Sequence, residues 1–177
     1  MNTALGAWNA AGESEALDAM LACCGSRRWA EAMTAQRPIA TVWALSQTAD
    51  RVWSTMQEQD WLEAFACHPR IGERKPAPVA AHTAHDPVER SAAWSRKEQM
   101  SVRAANELVL AELAEDNHRY EQRFGFTYIV CATGKSAAEM LTILKRRLAN
   151  DRESELREAA EQQRQIMQIR LGKWLAE

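Results

Sequence analysis

The sequence predicts an all-α fold, formed by a single compact domain over residues 1–177 and interrupted by one long irregular loop. Three observations support this prediction. Apolar residues recur at the three- and four-residue spacing of an amphipathic helix through most of the chain. Residues typical of helix caps precede these stretches. Four of the five prolines lie between Cys67 and Trp94, where they exclude a continuous helix.

The helix signals of the first half begin at Ser14, which can cap a helix that ends before Gly25. A short helix is expected over residues 26–34. Pro38 suits the first turn of a longer helix, because its missing N–H would be unpaired there. Asp60 can cap a further short helix. These elements lead into the proline-rich loop.

The second half is predicted to begin with a long helix over residues 95–122. Residues 124–132 are rich in β-branched and aromatic types, which favours extended backbone. Periodicity does not separate a buried strand from a short buried helix in so short a stretch. Ser136 and a glutamate three residues later form a capping box, and Asp151 can cap a last, strongly charged helix.

Composition excludes several classes of protein. Hydrophobic residues make up 46% of the chain and charged residues 26%, as in globular proteins. The net charge of -2 offers no basic surface, so we expect no nucleic-acid partner and no membrane partner. No apolar run reaches the roughly 20 residues of a membrane span, and no signal peptide is evident. We expect reduced cysteines and a cytoplasmic location.

His68 is the first candidate for chemistry. The following Pro69 pushes its backbone out of the helical region, so a rigid turn would place the imidazole, which titrates near neutral pH. The alternative is a structural histidine that bonds a carbonyl. Ser95 and Glu98 are a second candidate: they form a capping box, which alone explains both residue types. A carboxylate held in that first turn, near a histidine, could also form an acid–base pair.

Other constellations are weaker. His82 and His85 could bind a metal in a hydrolase, but no metal-ligand motif accompanies them, so we expect no metal site. Nucleophilic chemistry by Cys67 stays possible, although neighbouring side chains of extended backbone point to opposite faces. Arg147 and Arg170 each precede a leucine on a periodic helix. A guanidinium near a pocket can bind a carboxylate through two hydrogen bonds.

Six segments together resemble the 2-oxo-4-hydroxy-4-carboxy-5-ureidoimidazoline (OHCU) decarboxylase family, and they occur in family order over nearly the whole chain. The His-Pro-Arg-Ile-Gly-Glu form of the third segment is one we associate with a bacterial branch. Isoleucine follows Arg37-Pro38 here, where the family has phenylalanine. The segments are Cys23-Cys24-Gly25-Ser26-Arg27-Arg28-Trp29, Arg37-Pro38, residues 65–73, Ser95-Arg96-Lys97-Glu98-Gln99, residues 123–136 and Arg147-Leu148-Ala149-Asn150.

The resemblance implies an all-α fold of about eight helices, a homodimer, and cofactor-free release of CO2 from OHCU to give (S)-allantoin. It implies His68 as catalytic acid or base and Glu98 as its carboxylate partner. The substrate-binding residues implied are Pro69, Ser95, Gln99, Ile129, Val130, Cys131, Ala132 and a C-terminal arginine, for which we favour Arg170 over Arg147. The alternatives are an enzyme for a related ureide on the same scaffold and a non-catalytic helical binding module.

Overall fold

The computed structural model describes residues 2–71, Trp94 and residues 107–177, and this part of the chain contains eight α-helices and no β-strand. None of the described helices is long and apolar enough to cross a membrane. The predicted all-α fold is confirmed, whereas the predicted loop falls mainly on residues 72–93, outside the described residues. The helices are α1 Thr3–Ala10, α2 Glu13–Cys24, α3 Arg27–Thr34, α4 Val42–Trp53, α5 Glu58–Ala66, α6 Glu107–Phe124, α7 Ala137–Arg147 and α8 Arg152–Trp174.

Several predicted helix ends are confirmed. Ser26 caps α3 by accepting a hydrogen bond from the Trp29 amide. Ser136 forms the predicted capping box at α7, and Asp151 caps α8. Gly25 ends α2 in the left-handed conformation with φ of 83°, which glycine adopts without a Cβ clash.

Other predicted ends are wrong. Ser14 lies inside α2, whose N-cap is Gly12. Asp60 is the third residue of α5 and completes a capping box with Gln57, the actual N-cap. Pro38 lies in the connection before α4 and not in its first turn. Where several residues that can cap a helix lie close together, the sequence does not distinguish among them, and the predicted helix start can be wrong by two or three residues.

Helix α1, which the sequence did not predict, explains the position of Pro38. The Asn9 side chain donates to the Ile39 carbonyl at 2.8 Å and accepts from its amide at 2.9 Å. Arg37 donates to the carbonyls of Trp8 and Ala11 at 2.8 Å each. Polar groups of the connection are therefore satisfied by α1 and do not need helical partners of their own.

Helix α8 organises the core and positions the site. It packs against α2, α4 and α5, while α6 packs against α7. The buried apolar residues of all eight helices form one continuous core. Because α5 ends at Ala66 against this arrangement, the next residues of the chain lie beside α2 and α8. The segment that begins at His68 thus meets buried side chains of the last helix.

Candidate functional site

His68 follows the end of α5, and its amide donates to the Phe65 carbonyl at 3.1 Å. Its Nε2 atom is buried and has no hydrogen-bond partner among the described residues. Burial lowers the pKa of His68 to about 3; the positive charge of Arg170 adds to the decrease, and the Gln163 amide opposes it. The imidazole is therefore neutral at neutral pH in the unliganded protein.

Helix α8 contributes two buried polar side chains to this region. Gln163 and Arg170 are 0% and 1% exposed, and a spacing of seven residues places them about two turns apart on one face of the helix. Gln163 donates to the Cys24 carbonyl at 3.2 Å. The charge of Arg170 lowers the pKa of both His68 and Cys24, so its guanidinium lies near both groups. The structure thus brings together two predicted site residues, His68 and Arg170.

The ends of α2 and α5 meet closely beside His68. A Cβ atom on Gly25 would lie 2.9 Å from both Cβ and Sγ of Cys67, so only glycine fits there without movement. Burial raises the pKa of the Cys24 thiol to about 12. Burial and then the charge of Glu63 raise the pKa of the Cys67 thiol. Both thiols are protonated at neutral pH, which speaks against the nucleophilic alternative for Cys67.

Arg147 lies in a different environment and is fully engaged there. Its side chain bonds Glu155 through Nε at 2.7 Å and through Nη2 at 2.6 Å. Nη1 donates to the Ile129 carbonyl at 2.7 Å, and the guanidinium lies 4.9 Å from the centre of the Tyr128 ring. Burial, the largest single influence, lowers the pKa of Arg147, but the hydrogen bond to Glu155 and the charges of Tyr120, Glu155 and Tyr128 together raise it above its usual value. Arg147 therefore holds the segment after α6, while Arg170 lies near His68.

The predicted pocket segment Ile129–Ala132 is buried and non-helical, as the composition of residues 124–132 favoured, but it does not pair as a β-strand. Several of its backbone groups are already bonded. The Cys131 amide donates to Gln162 at 2.9 Å, and Lys135 donates to the Cys131 carbonyl at 2.7 Å and, through its amide, to Ala132 at 3.0 Å. Neither Val130 nor the Ala132 amide is hydrogen-bonded to another described residue.

Three predicted site residues, Ser95, Glu98 and Gln99, lie outside the described residues, as do His82 and His85. In the described ranges no three His, Cys, Asp or Glu side chains are grouped so as to hold a metal ion.

Gln163 is the site residue that the sequence did not reveal. One signal was present: a glutamine stands among Ala159, Ala160, Ile166 and Met167 on the buried face of α8.

The fold and the site together define a small helical domain in which a buried, neutral histidine lies near a buried arginine. This arrangement suits acid–base chemistry on a small anionic molecule. The OHCU decarboxylase family model matches residues 9–172 of the chain. The uric acid degradation bifunctional protein TTL of Arabidopsis thaliana is 36% identical over 152 residues, which cover 85% of this chain and 44% of that protein.

Further relatives agree. The uric acid degradation bifunctional protein of Bacillus sp. (strain TB-90) is 25% identical over 145 residues, which cover 80% of this chain and 26% of that protein. The chain therefore spans less than half the length of these curated relatives.

Two solved structures are also similar. A crystal structure of OHCU decarboxylase in the presence of (S)-allantoin matches with a TM-score of 0.74 and 33% identity, over 90% of this chain and 99% of that one. A crystal structure of (S)-allantoin synthase matches with a TM-score of 0.69 at 16% identity, over 96% of this chain and 53% of that one, and shares the fold. The chain belongs to the OHCU decarboxylase family, as its motifs indicated.

Proposed function

We propose that this protein decarboxylates OHCU to (S)-allantoin in urate degradation. The observation that carries the proposal is the structural match to OHCU decarboxylase in the presence of (S)-allantoin, which covers 99% of that solved chain. The site adds chemical support, because a neutral histidine and a buried guanidinium are groups that proton transfer and carboxylate binding require.

The chemistry defines what the protein must supply. The bond between a ring carbon and its carboxylate breaks, CO2 leaves, and the electron pair stays on the ring. Adjacent C=N and C=O groups can hold that pair, so the substrate is its own electron sink and we propose that no cofactor or metal takes part. The hydroxyl group then loses its proton to become a carbonyl, and two protons add, one to the neighbouring ring carbon and one to the nitrogen of the former C=N; one of these replaces the hydroxyl proton and the other comes from water. The protein orients the carboxylate, stabilises the developing charge and delivers the proton to one face.

Arg170 is the proposed partner of the substrate carboxylate. Its guanidinium is buried, and a planar fork of N–H donors matches a carboxylate better than a lysine ammonium does. In the unliganded protein the charge of Arg170 disfavours protonation of His68. A bound carboxylate offsets that charge, so binding should raise the pKa of His68. The imidazole can then take up the hydroxyl proton when substrate is present and return a proton to the ring.

The remaining roles rest on the sequence. Glu98 is the proposed carboxylate partner of His68, and Ser95 and Gln99 are proposed to contact the substrate, with Pro69 supporting the imidazole. Capping of a helix is the alternative role of Ser95 and Glu98. The backbone of residues 129–132 would bind the polar edge of the ring, and the amide of Ala132 is a donor suited to that task.

We further propose that the protein works as a homodimer in the cytoplasm. Trp43 and Val42 on α4 are 73% and 43% exposed, an apolar surface of the kind that interfaces cover. The four cysteines are free thiols, as expected in a reducing compartment. Light scattering coupled to size-exclusion chromatography would measure the oligomeric state directly, and a monomer at micromolar concentration would contradict the dimer.

The proposed activity is tested by following loss of freshly generated OHCU and release of CO2, with and without protein. We expect the wild type to exceed the uncatalysed rate, and His68→Gln and Arg170→Met each to lose at least about 100-fold in kcat/KM. Arg164→Met is the matched control, since Arg164 lies on the same helix but pairs with Asp50 and Glu161. Equal rates with and without protein would refute the proposal. Turnover of another ureide but not of OHCU would favour the related enzyme.

A further inference from the structure

Two of the buried polar atoms that lack hydrogen-bond partners among the described residues belong to His68 and to Gln163. They are Nε2 of His68 and Oε1 of Gln163. The Gln163 amide is near enough to His68 to raise the pKa of the imidazole, although no hydrogen bond of normal geometry joins the two side chains. Buried polar groups are nearly always paired, so two orphaned atoms in adjacent side chains indicate a bond that the site is built to form.

The orientation of the Gln163 amide is fixed by its other contact. Its Nε2 donates to the Cys24 carbonyl at 3.2 Å, and a carbonyl can only accept. The NH2 end of the amide must therefore face α2, which leaves Oε1 as an acceptor for a neighbouring donor. In a neutral imidazole only one ring nitrogen carries a proton, so an acceptor beside Nε2 favours the tautomer protonated at Nε2.

We propose that Gln163 is a positioning residue for His68. The Oε1 atom of Gln163 accepts a hydrogen bond from Nε2–H of His68 and leaves Nδ1 as the nitrogen that exchanges protons with the substrate, directly or through Glu98. This inference rests on the proposed function. Gln163 acts through His68 and does not itself need to touch the substrate. A hydrogen-bond partner on the ring nitrogen that does not react fixes the ring orientation and the tautomer of a functional histidine.

A neutral acceptor is better suited to this position than a carboxylate. Arg170 lies on the same face of α8 as Gln163, and its positive charge lowers the pKa of the His68 imidazole. A glutamate at position 163 would stabilise the imidazolium and compete with the substrate for Arg170. Glutamine supplies the acceptor without adding a negative charge beside Arg170.

The tautomer is measured by 15N chemical shifts of the His68 ring nitrogens, assigned with His68→Gln, in the protein without substrate. We expect the wild type to be protonated at Nε2. Gln163→Leu should shift the population towards Nδ1–H and lower kcat at least about tenfold, with KM close to that of the wild type, because general acid–base catalysis contributes on the order of 10²–10⁴-fold. Gln168→Leu is the matched control, since Gln168 also lies on α8 and donates to a backbone carbonyl, that of Ser46 at 3.0 Å.

A purely structural role for Gln163 predicts a different result. Gln163→Leu would then lower the melting temperature as Gln168→Leu does, with the His68 tautomer and kcat unchanged, and that result would overturn the proposal. If Gln163→Leu does not fold, Gln163→Glu keeps the acceptor: it should retain Nε2–H and raise the pKa of His68, and an unchanged pKa would equally overturn the proposal. Because the tautomer and the pKa of His68 are read without substrate, these two measurements are independent of whether the protein decarboxylates OHCU.

Discussion

Replacement of Arg147 by methionine tests the buried network that holds the predicted pocket segment. Methionine keeps much of the side-chain length but removes every donor. The Glu155 carboxylate would lose its cationic partner while it keeps the hydrogen bonds from Tyr120 and from Asn150. The Ile129 carbonyl would lose the donor that now lies 2.7 Å away.

The magnitude follows from the burial of the pair. The Arg147 and Glu155 side chains are 1% and 0% exposed. Removal of one member of a buried ion pair costs about 3–5 kcal/mol, and an orphaned carbonyl costs about 1–3 kcal/mol. The two costs overlap, since Glu155 keeps two other donors. We expect Arg147→Met to lower the free energy of unfolding by about 3–5 kcal/mol, a large share of the 5–15 kcal/mol typical of a domain.

Urea denaturation followed by far-UV circular dichroism measures this loss. Arg157→Met is the control, since Arg157 pairs with Glu153 at side chains that are 71% and 75% exposed, and such pairs contribute less than about 1 kcal/mol. The double variant Arg147→Met/Glu155→Gln should lose less than the sum of its single variants. A loss below about 1 kcal/mol for Arg147→Met, or strict additivity in the double variant, would refute the reasoning.

Three further predictions concern the site. His68 has a lower pKa in the folded protein than in the unfolded chain, so the unfolded chain binds the extra proton as the pH falls. The free energy of unfolding should therefore be full above about pH 6.5 and fall towards pH 3, by at most about 1.4 kcal/mol per pH unit. His68→Gln should flatten this slope in urea titrations between pH 7 and pH 5. Arg170→Lys should raise KM in steady-state assays, since an ammonium cannot bind a carboxylate through a planar fork; an unchanged KM would remove Arg170 from substrate binding. Gly25→Ala should lower the melting temperature more than Gly134→Ala, since both glycines have positive φ but only Gly25 would bring a Cβ to 2.9 Å from Cys67; equal shifts would argue against that close approach.

Local signals in the sequence were sufficient for much of the fold. Ser136 and Asp151 cap helices by bonding amides within three residues, so their roles are visible in a short window of sequence. Pro38 could not be placed in this way. Its conformation depends on Asn9 and α1, which are distant in sequence, and a propensity argument does not include such contacts.

The site was predictable in part for a similar reason. The family motifs indicated His68, and they left two arginines as candidates for a binding role. Only the packing of α8 distinguishes them, because Arg147 and Arg170 are equally buried and differ in their neighbours. Gln163 stands out as a polar residue on an apolar helix face, but its importance depends on what α2 and the end of α5 bring against it.

The central claim is that the protein directs decarboxylation of OHCU to one face of the ring, and the product's optical activity tests it most directly. Freshly made OHCU is incubated with the wild type, with His68→Gln and with no protein, and the allantoin is examined by circular dichroism. We predict the signal of (S)-allantoin with the wild type, and the absence of a signal from the racemate with no protein and with His68→Gln. A racemic product formed with the wild type would contradict the account.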